Sequence, residues 1–479
     1  MTGPTTPNRF PEGLEAPPPL SAAVREELAR DGIAVEVGAS ERADHSRDWW
    51  PRLIPGTAAG RVDHWPGAVV RATTTADVAA TLRVASAHRL SVTPQGGRSS
   101  VVGGATPQSG GIALDLTGLR RVLEIDDVSG TARVEAGVFG PDLEAALAPH
   151  GFTAGHFPQS FDLSTVGGWI ASRGAGQYSN RYGTIEDLVR GLTVVLASGD
   201  VLHLGGHGPR EAVGPNLTQL FVGSEGALGV ITEATLVVRR RASYERRRAY
   251  SFGTFGEGLD ACRRVLQRGA RPAVLRLYDA TESLRHFELD ECALVVLDEG
   301  DPALVDAAIT IVEDECRGAR TRDEELVERW LARRNDVSAL APLWERGLVV
   351  DTIEVAGPWS ILESLRERVT RSLHSLEGML VVSVHQSHAY LDGACLYFTF
   401  AAQPSDPETF YRQAWDVVMA DVMSEGGAVS HHHGIGRNRA RFVAGALGDG
   451  FPLLQGVKAL LDPLGIMNPG VLALGAEPW

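Results

Sequence analysis

The run from Gly155 to Val189, GHFPQSFDLSTVGGWIASRGAGQYSNRYGTIEDLV, limits what this chain can become more than any other stretch. Glycines, small hydroxyl residues and short apolar turns follow one another there without a helical or strand period. Such a run is costly in backbone entropy and leaves main-chain polar groups in need of partners. A large polyphosphate ligand supplies partners of that kind, because clustered N–H groups and Ser/Thr hydroxyls form nests for anions. An ordinary glycine-rich loop is the plain alternative.

Two more segments share this character. Pro94-Gln95-Gly96-Gly97-Arg98-Ser99-Ser100-Val101-Val102-Gly103-Gly104 follows a strand-like Leu90–Thr93. Gly223-Ser224-Glu225-Gly226-Ala227-Leu228-Gly229-Val230-Ile231-Thr232 joins glycine turns to a β-branched strand. No G-x-G-x-x-G stands between a first strand and its helix with an acidic residue beyond it, so the nicotinamide fingerprint is absent.

At 479 residues the chain is too long for one ordinary core, and two α/β domains are expected. A formal net charge of −15 argues against general nucleic-acid binding and against broad adhesion to anionic headgroups. The arginine runs Arg239–Arg241 and Arg246–Arg248 read as a solvated strand edge. Cys262, Cys292, Cys316 and Cys395 form no CxxC pair, which speaks against a disulfide scaffold, a zinc ribbon or an iron–sulfur cluster and fits a reducing cytoplasm. The start has no basic segment leading into an apolar one, no run approaches a membrane span, and Glu477-Pro478-Trp479 is not a peroxisomal address. The expectation is therefore a cytoplasmic protein.

Along the chain, residues up to about Leu20 read as a loosely held arm, with Trp49-Trp50-Pro51 as its anchor. A helix is predicted over Ser21–Arg30, a strand over Ala68–Arg71, and a helix capped by Thr75 running to His88. Arg121–Asp126 with Thr131–Val138, and Thr193–Leu196 with Val201–Leu204, read as hairpins. Pro141–Gly151 reads as a helix. Farther on, strand-like Tyr250–Phe252, Val274–Leu277, Ala293–Leu297, Leu348–Ile353, Leu380–Val384 and Cys395–Phe400 alternate with helical Gly256–Gln267 and Ala303–Glu315. This mixture indicates an α+β chain rather than a doubly wound sheet.

Three consecutive histidines, His431, His432 and His433, stand out near the end. On an extended segment the outer two would face one way and His432 the other, so the three would not share one partner. Histidines two apart can chelate, which leaves a metal reading open, and a polar loop satisfied by backbone carbonyls is the plain one.

In order and spacing, the three glycine-bearing segments resemble the FAD-binding domain of the vanillyl-alcohol-oxidase/PCMH flavoprotein superfamily. Within it, Gly155–Val189 and Ser430-His431-His432-His433-Gly434-Ile435-Gly436 resemble the alkyldihydroxyacetonephosphate synthase (alkylglycerone-phosphate synthase) family, and the likeness runs from about Asp63 to Leu472. The resemblance implies an N-terminal arm and helix over 1–60 and a PCMH-type FAD-binding domain over 61–241. It further implies an antiparallel-sheet cap or substrate domain over 242–407 and a C-terminal helical return segment with the histidine loop over 408–479.

Carried over position by position, the resemblance puts FAD against Pro94, Gln95, Gly96, Gly97, Arg98, Ser99 and Ser100 at the pyrophosphate. Gln159, Ser160, Phe161, Asp162, Leu163, Ser164 and Thr165 would lie along the flavin and ribityl chain. Ser172, Arg173, Gly174 and Ala175 would add main-chain and hydroxyl contacts, and Glu225, Gly226, Ala227, Leu228, Gly229, Val230 and Ile231 would hold the adenosine side. Some members of the superfamily attach FAD covalently through a histidine in the first glycine loop or a cysteine farther on. Here Arg98 follows Gly96-Gly97 and no cysteine precedes Cys262, so FAD is expected to be non-covalent.

Related FAD-linked 2-hydroxyacid dehydrogenases carry Gly-Asp-Gly-Asn-Leu-His, whose histidine helps bind a metal. This chain has Asp392-Gly393-Ala394-Cys395-Leu396-Tyr397 instead, so no metal is expected and Tyr397 matches the synthase family's catalytic tyrosine. Arg276 matches an arginine important for synthase activity, and Arg346, in a contracted segment, is the candidate for holding the substrate phosphate. Terminal Asp462–Gly470 resembles the superfamily's closing motif, with Val471 where a lysine is common.

The function implied is exchange of the acyl group of an acyl-dihydroxyacetone phosphate for a long-chain alcohol, with flavin N5 as covalent anchor and no net redox change. The rival is an FAD-linked oxidase or dehydrogenase of a hydroxy acid or alcohol, and a flavin-binding protein without turnover is a third class. The partner expected is a lipid-like small molecule and not nucleic acid. Peripheral contact with a membrane and pairing into a homodimer stay open.

Overall fold

The computed structural model describes residues 10, 13–336, 343 and 346–475. Its first sheet holds β1 (Val35–Glu36), β2 (Ala68–Arg71), β3 (Val92–Gln95) and β4 (Ile112–Asp115) in the order β1-β2-β4-β3. β4 runs parallel to both β2 and β3, and buried apolar side chains from this sheet share a core with the helix Thr75–His88. That helix is capped by Thr74, not Thr75: the Thr74 hydroxyl and the Asp77 carboxylate satisfy each other's backbone N–H.

The second sheet is antiparallel. It opens with the hairpin β5 (Val122–Asp126) and β6 (Thr131–Glu135), followed after a small β7 (Phe152–Thr153) by β8 (Val189–Val195), β9 (Val201–Gly205) and β10 (Val230–Val237). The order is β5-β6-β10-β8-β9, and β7 pairs with β11 (Arg239–Arg240). Both hairpins expected from alternation are present. The run Gly155–Val189 is less irregular than its composition indicates, since it contains the short helices Val166–Ser172, Ser179–Tyr182 and Ile185–Leu188. Helices of four to seven residues are too short to display a period in the sequence.

The third sheet forms the cap. It comprises β12 (Glu245–Phe252), β13 (Val274–Tyr278), β14 (Cys292–Glu299), β15 (Arg320–Arg322), β16 (Val349–Pro358), β17 (Met379–Ala389) and β18 (Gly393–Ala402). All pairs are antiparallel, in the order β15-β12-β14-β13-β17-β18-β16. Helices Phe255–Gln267, Pro302–Glu315, Trp359–His374 and Pro407–Ser424 bury one face of it. Because strand side chains alternate, Leu275, Leu277, Ile353, Val355, Leu396 and Phe398 go into that core while Arg276, Glu354 and Tyr397 take the opposite face.

The N-terminal arm is held sooner than expected. Leu20 N donates to Gly67 O at 3.0 Å, and Arg42 Nη1 donates to Pro17 O at 2.9 Å. Trp50 anchors it as read from sequence, its Nε1 donating to the Tyr411 hydroxyl at 3.1 Å. Arg246, Arg247 and Arg248 on β12 pair with Asp306, Glu245 and Glu313, as an edge in water would. Among the described residues, no helix is long and apolar enough to cross a membrane.

Candidate active site

Strand register lines up four side chains on the free face of the cap sheet. Glu354 on β16 sits opposite Tyr397 on β18, which sits opposite His385 on β17, which sits opposite Tyr278 on β13. The His385 ring stacks on Tyr397 at 4.4 Å between centres. Arg276, two residues before Tyr278, donates from Nη2 to His385 Nε2 at 2.6 Å, and His385 Nδ1 meets the buried Glu282 carboxylate at 3.1 Å. An arginine can only donate, so His385 carries its proton on Nδ1 and points it at Glu282.

A bulge between Ser387 and Ala389 places His388 at φ 47°, in the left-handed region, and swings its ring to the same cluster. His388 Nε2 is 3.1 Å from the Tyr397 hydroxyl, and His432 Nε2 is 3.3 Å from it on the other side. The contacts continue outward in both directions. His388 Nδ1 meets Ser179 Oγ at 2.9 Å, while His432 Nδ1 meets His431 Nδ1 at 2.9 Å and His431 Nε2 meets the Tyr390 hydroxyl at 2.7 Å.

Burial pushes the Tyr397 phenol well above its ordinary value. It also holds His388, His431 and His432 below theirs, and His385 and His433 down to about 4. At neutral pH the cluster is thus a protonated phenol between two neutral imidazoles. The two ring nitrogens beside the hydroxyl set up proton exchange between the phenol and the histidines.

The three histidines do not alternate as an extended segment would. Their loop bends over the carboxylate of Glu354, which accepts the main-chain N–H groups of His431 at 2.5 Å, His432 at 3.3 Å and His433 at 2.8 Å. Glu354 also accepts from Ser430 Oγ and pairs with Arg439 at 3.2 Å, both partners fully buried. Burial alone would raise this carboxyl, but Arg439 and the histidines hold it far below the ordinary range.

A second carboxylate finishes the loop. Glu225, expected on the cofactor, instead turns its oxygens to the N–H groups of Ile435 at 2.5 Å and Gly436 at 2.7 Å. Burial pushes Glu225 up to about 7. Gly434 passes this carboxylate at φ +84°, and a Cβ there would lie 2.5 Å from Glu225 Oε1, so both conformation and space demand glycine.

Several other residues expected at the cofactor have side chains committed elsewhere. Gln95 donates from Nε2 to His45 O and Ala105 O. Leu228, Val230 and Ile231 lie in the hydrophobic cores, and Arg173 pairs with Glu186. At Gly97 a Cβ would fall 1.8 Å from Leu163 O, so this glycine lets the first loop close on the Gln159–Thr165 segment, a role the sequence reading gave to ligand approach.

The main chain fits a large anionic ligand. Among the described residues, the N–H groups of Gly96, Gly97, Arg98, Ser99 and Ser100 meet no acceptor within the chain. Arg98, Arg173 and Glu225 are held in the left-handed region, where non-glycine residues are strained. Thr93 Oγ1 at the end of β3, Asn468 Oδ1 and both ring nitrogens of His156 are buried polar atoms without partners. His156 was missed from sequence, because one histidine in a glycine-rich run carries no signal of its burial against Trp169 at 4.8 Å.

Comparison with known proteins accounts for this architecture. The family description FAD binding domain matches residues 66–205, and FAD linked oxidases, C-terminal domain, matches residues 242–472. The chain belongs to the FAD-linked oxidase family. It is 32% identical over 433 residues to the uncharacterized FAD-linked oxidoreductase YgcU of Escherichia coli (strain K12), covering 85% of this chain and 89% of that one. It is 29% identical over 502 residues to an alkyldihydroxyacetonephosphate synthase of Trypanosoma brucei brucei, covering 95% of this chain and 80% of that one. A solved alkyldihydroxyacetonephosphate synthase superposes with a TM-score of 0.82 at 24% identity, over 97% of this chain and 88% of that one.

This member of the FAD-linked oxidase family accordingly binds FAD on an α+β, PCMH-type framework. All four cysteines are buried and unpaired, and none lies in the FAD-binding domain. Of the residues read from sequence as catalytic, Tyr397, His431, His432, His433 and Arg276 are brought together. His385, His388, Tyr390, Glu282 and Glu354 join them unannounced. Arg346 does not: it is exposed in a turn before β16, whose first residue, Val349, lies about 17 Å along the strand from Glu354. Cys395, His431 and His432 place donor atoms within 4.8 Å of one another, a set able to hold a soft metal ion.

Proposed function

We propose that this flavoenzyme acts as an alkyldihydroxyacetonephosphate synthase does by name, exchanging the acyl group of an acyl-dihydroxyacetone phosphate for a long-chain alcohol. The observation that carries the reading is the Tyr397 hydroxyl held between His388 and His432. FAD, when bound, supplies N5 as the atom that anchors the substrate carbon during the exchange. The chain's own residues move protons. Tyr397 gives its proton to the leaving carboxylate, and the incoming alcohol loses its proton to a neutral ring nitrogen of His388 or His432. That proton then returns to Tyr397. One C–O bond breaks, another forms, and no electrons are gained or lost.

His385, buttressed by Glu282 and Arg276, keeps the Tyr397 ring in place through the stacking contact. Four unpaired cysteines agree with a reducing cytoplasm, which we retain as the proposed compartment.

A second reading, oxidation of a hydroxy acid or alcohol, is favoured by one observation: Arg346, the expected phosphate ligand, stands exposed and apart from the cluster. Holo protein incubated with an acyl-dihydroxyacetone phosphate and a labelled long-chain alcohol is expected to yield labelled ether and free fatty acid. Flavin bleaching by a hydroxy acid in the absence of oxygen, with no ether formed, would instead establish the oxidase. The flavin is held without a covalent bond on our reading, so acid precipitation is expected to leave a colourless pellet and a yellow supernatant. A yellow pellet would contradict it.

A further inference from the structure

Hydroxyl and imidazole groups of Ser179, His388, Tyr397, His432, His431 and Tyr390 stand in one line, with links of 2.9, 3.1, 3.3, 2.9 and 2.7 Å. Burial holds His388, His431 and His432 below the ordinary imidazole value, so each carries a single ring proton at neutral pH. A neutral imidazole donates from one nitrogen and accepts at the other. Protons along the line therefore all point the same way. Either His388 Nε2, His432 Nδ1 and His431 Nε2 carry them, or His388 Nδ1, His432 Nε2 and His431 Nδ1 do. The Nδ1–Nδ1 link is the strictest, since two N–H groups would collide at 2.9 Å and two bare nitrogens would go without a bond. His433 stands outside the line: its Nδ1 is 3.8 Å from Glu354 and makes no hydrogen bond.

Tyr390 ends the line at a different depth. It opens the turn between β17 and β18, its N–H donating to Gly393 O at 2.8 Å and its carbonyl accepting from Trp359 Nε1 at 3.1 Å. Tyr397 is 8% exposed, whereas Tyr390 is half-buried and is followed by Leu391 at 59%. A phenolate costs less where water reaches it than where the protein excludes it.

We propose that His432 and His431 form a proton wire with Tyr390 as its terminus, where negative charge waits between departure of one substrate group and arrival of the next. The inference rests on the reading of the Tyr397 cluster as the reaction centre. Once Tyr397 has given its proton to the leaving carboxylate, His432 Nε2 passes a proton to the Tyr397 oxygen. His431 Nδ1 then supplies His432 Nδ1, and the Tyr390 hydroxyl supplies His431 Nε2. Three N–H or O–H bonds break, three form, and the charge stands on Tyr390. The incoming alcohol next gives its proton to His432 Nε2, the Nδ1 proton of His432 returns to His431, and the Nε2 proton of His431 returns to Tyr390. Every group regains its starting proton, and no electrons are gained or lost. Tyr390 and His431 thus act through His432 and Tyr397.

Neutron diffraction from deuterium-exchanged crystals of the holo protein reads the ring protons directly. One of the two ordered sets is expected, and a mixed set would overturn the wire. That measurement needs no substrate, so it is independent of whether ether exchange or oxidation takes place. Tyr390→Phe is expected to lower kcat of whichever turnover wild type shows by about 10²-fold, the low end for a positioned proton donor, with KM changed less than about two-fold. Added imidazole, a small proton carrier, should restore part of that rate in proportion to its concentration and leave wild type unchanged. A hydroxyl with a merely structural role would give a loss that imidazole does not relieve. Such a loss, or full activity in Tyr390→Phe, would overturn the proposal while Tyr397 kept its role. A fully active Tyr397→Phe would instead remove the reaction centre, and the wire with it.

Discussion

Tyr397→Phe is expected to lower ether formation by about 10²- to 10⁴-fold, the usual contribution of a positioned proton donor, while FAD content stays at wild-type level. The substitution removes one oxygen and keeps the ring that stacks on His385 at 4.4 Å. It leaves His388 Nε2 and His432 Nε2 without the hydroxyl they share, a cost of about 1–3 kcal/mol in stability. The comparison that matters is activity per bound flavin, with a thermal melt to show that the fold persists. A yellow Tyr397→Phe protein that makes ether at the wild-type rate would remove this residue from the chemistry. The site would then have to draw its proton from Tyr390 or directly from a histidine.

Glu354→Gln is expected to have the largest effect on stability. The carboxylate accepts three main-chain N–H groups of the histidine loop and pairs with Arg439, with neither partner exposed. Removing the charge leaves a buried guanidinium uncompensated, and breaking a buried pair in this way costs about 3–5 kcal/mol. Activity should fall with stability, because the loop that carries His431–His433 loses its template.

The pH dependence follows from the depressed carboxyl. In the unfolded chain Glu354 titrates near 4.5, and in the fold well below that. Its contribution is therefore fully present above about pH 4.5 and is lost as pH falls toward the folded value. The gap in melting temperature between wild type and Glu354→Gln should be wide at pH 7 and narrow below pH 4.5. A gap unchanged down to strong acid would show that the carboxylate's charge is not what holds the loop.

Much of this was legible from the chain alone. The three glycine-bearing segments, the two hairpins and six of the seven cap strands are local signals, turn residues at short spacing or short apolar runs, whereas the three-residue β15 was too short to show one. Tyr397, Arg276 and the triple histidine were legible because unusual residue types coincide with a family's motif. Short helices in Gly155–Val189 escaped because one turn shows no period. His385 and His388 escaped because each reads as a lone histidine in a strand, and only the bulge at Ser387–Ala389 turns His388 toward the cluster.

What the sequence determined by itself was the kind of chain this is: an α+β flavoprotein framework that carries Tyr397 and three consecutive histidines near its end. Tertiary structure alone decided which groups meet. Arg276 reaches His385 across 109 residues, and Glu225 reaches Ile435 across 210. It also set Arg346 in an exposed turn ahead of β16, apart from the cluster. The physical reason is range. Turn chemistry and side-chain period act over a few residues, whereas the partners of a buried charge are set by sheet register and by how two domains close on one loop, and neither is written in any short stretch of chain.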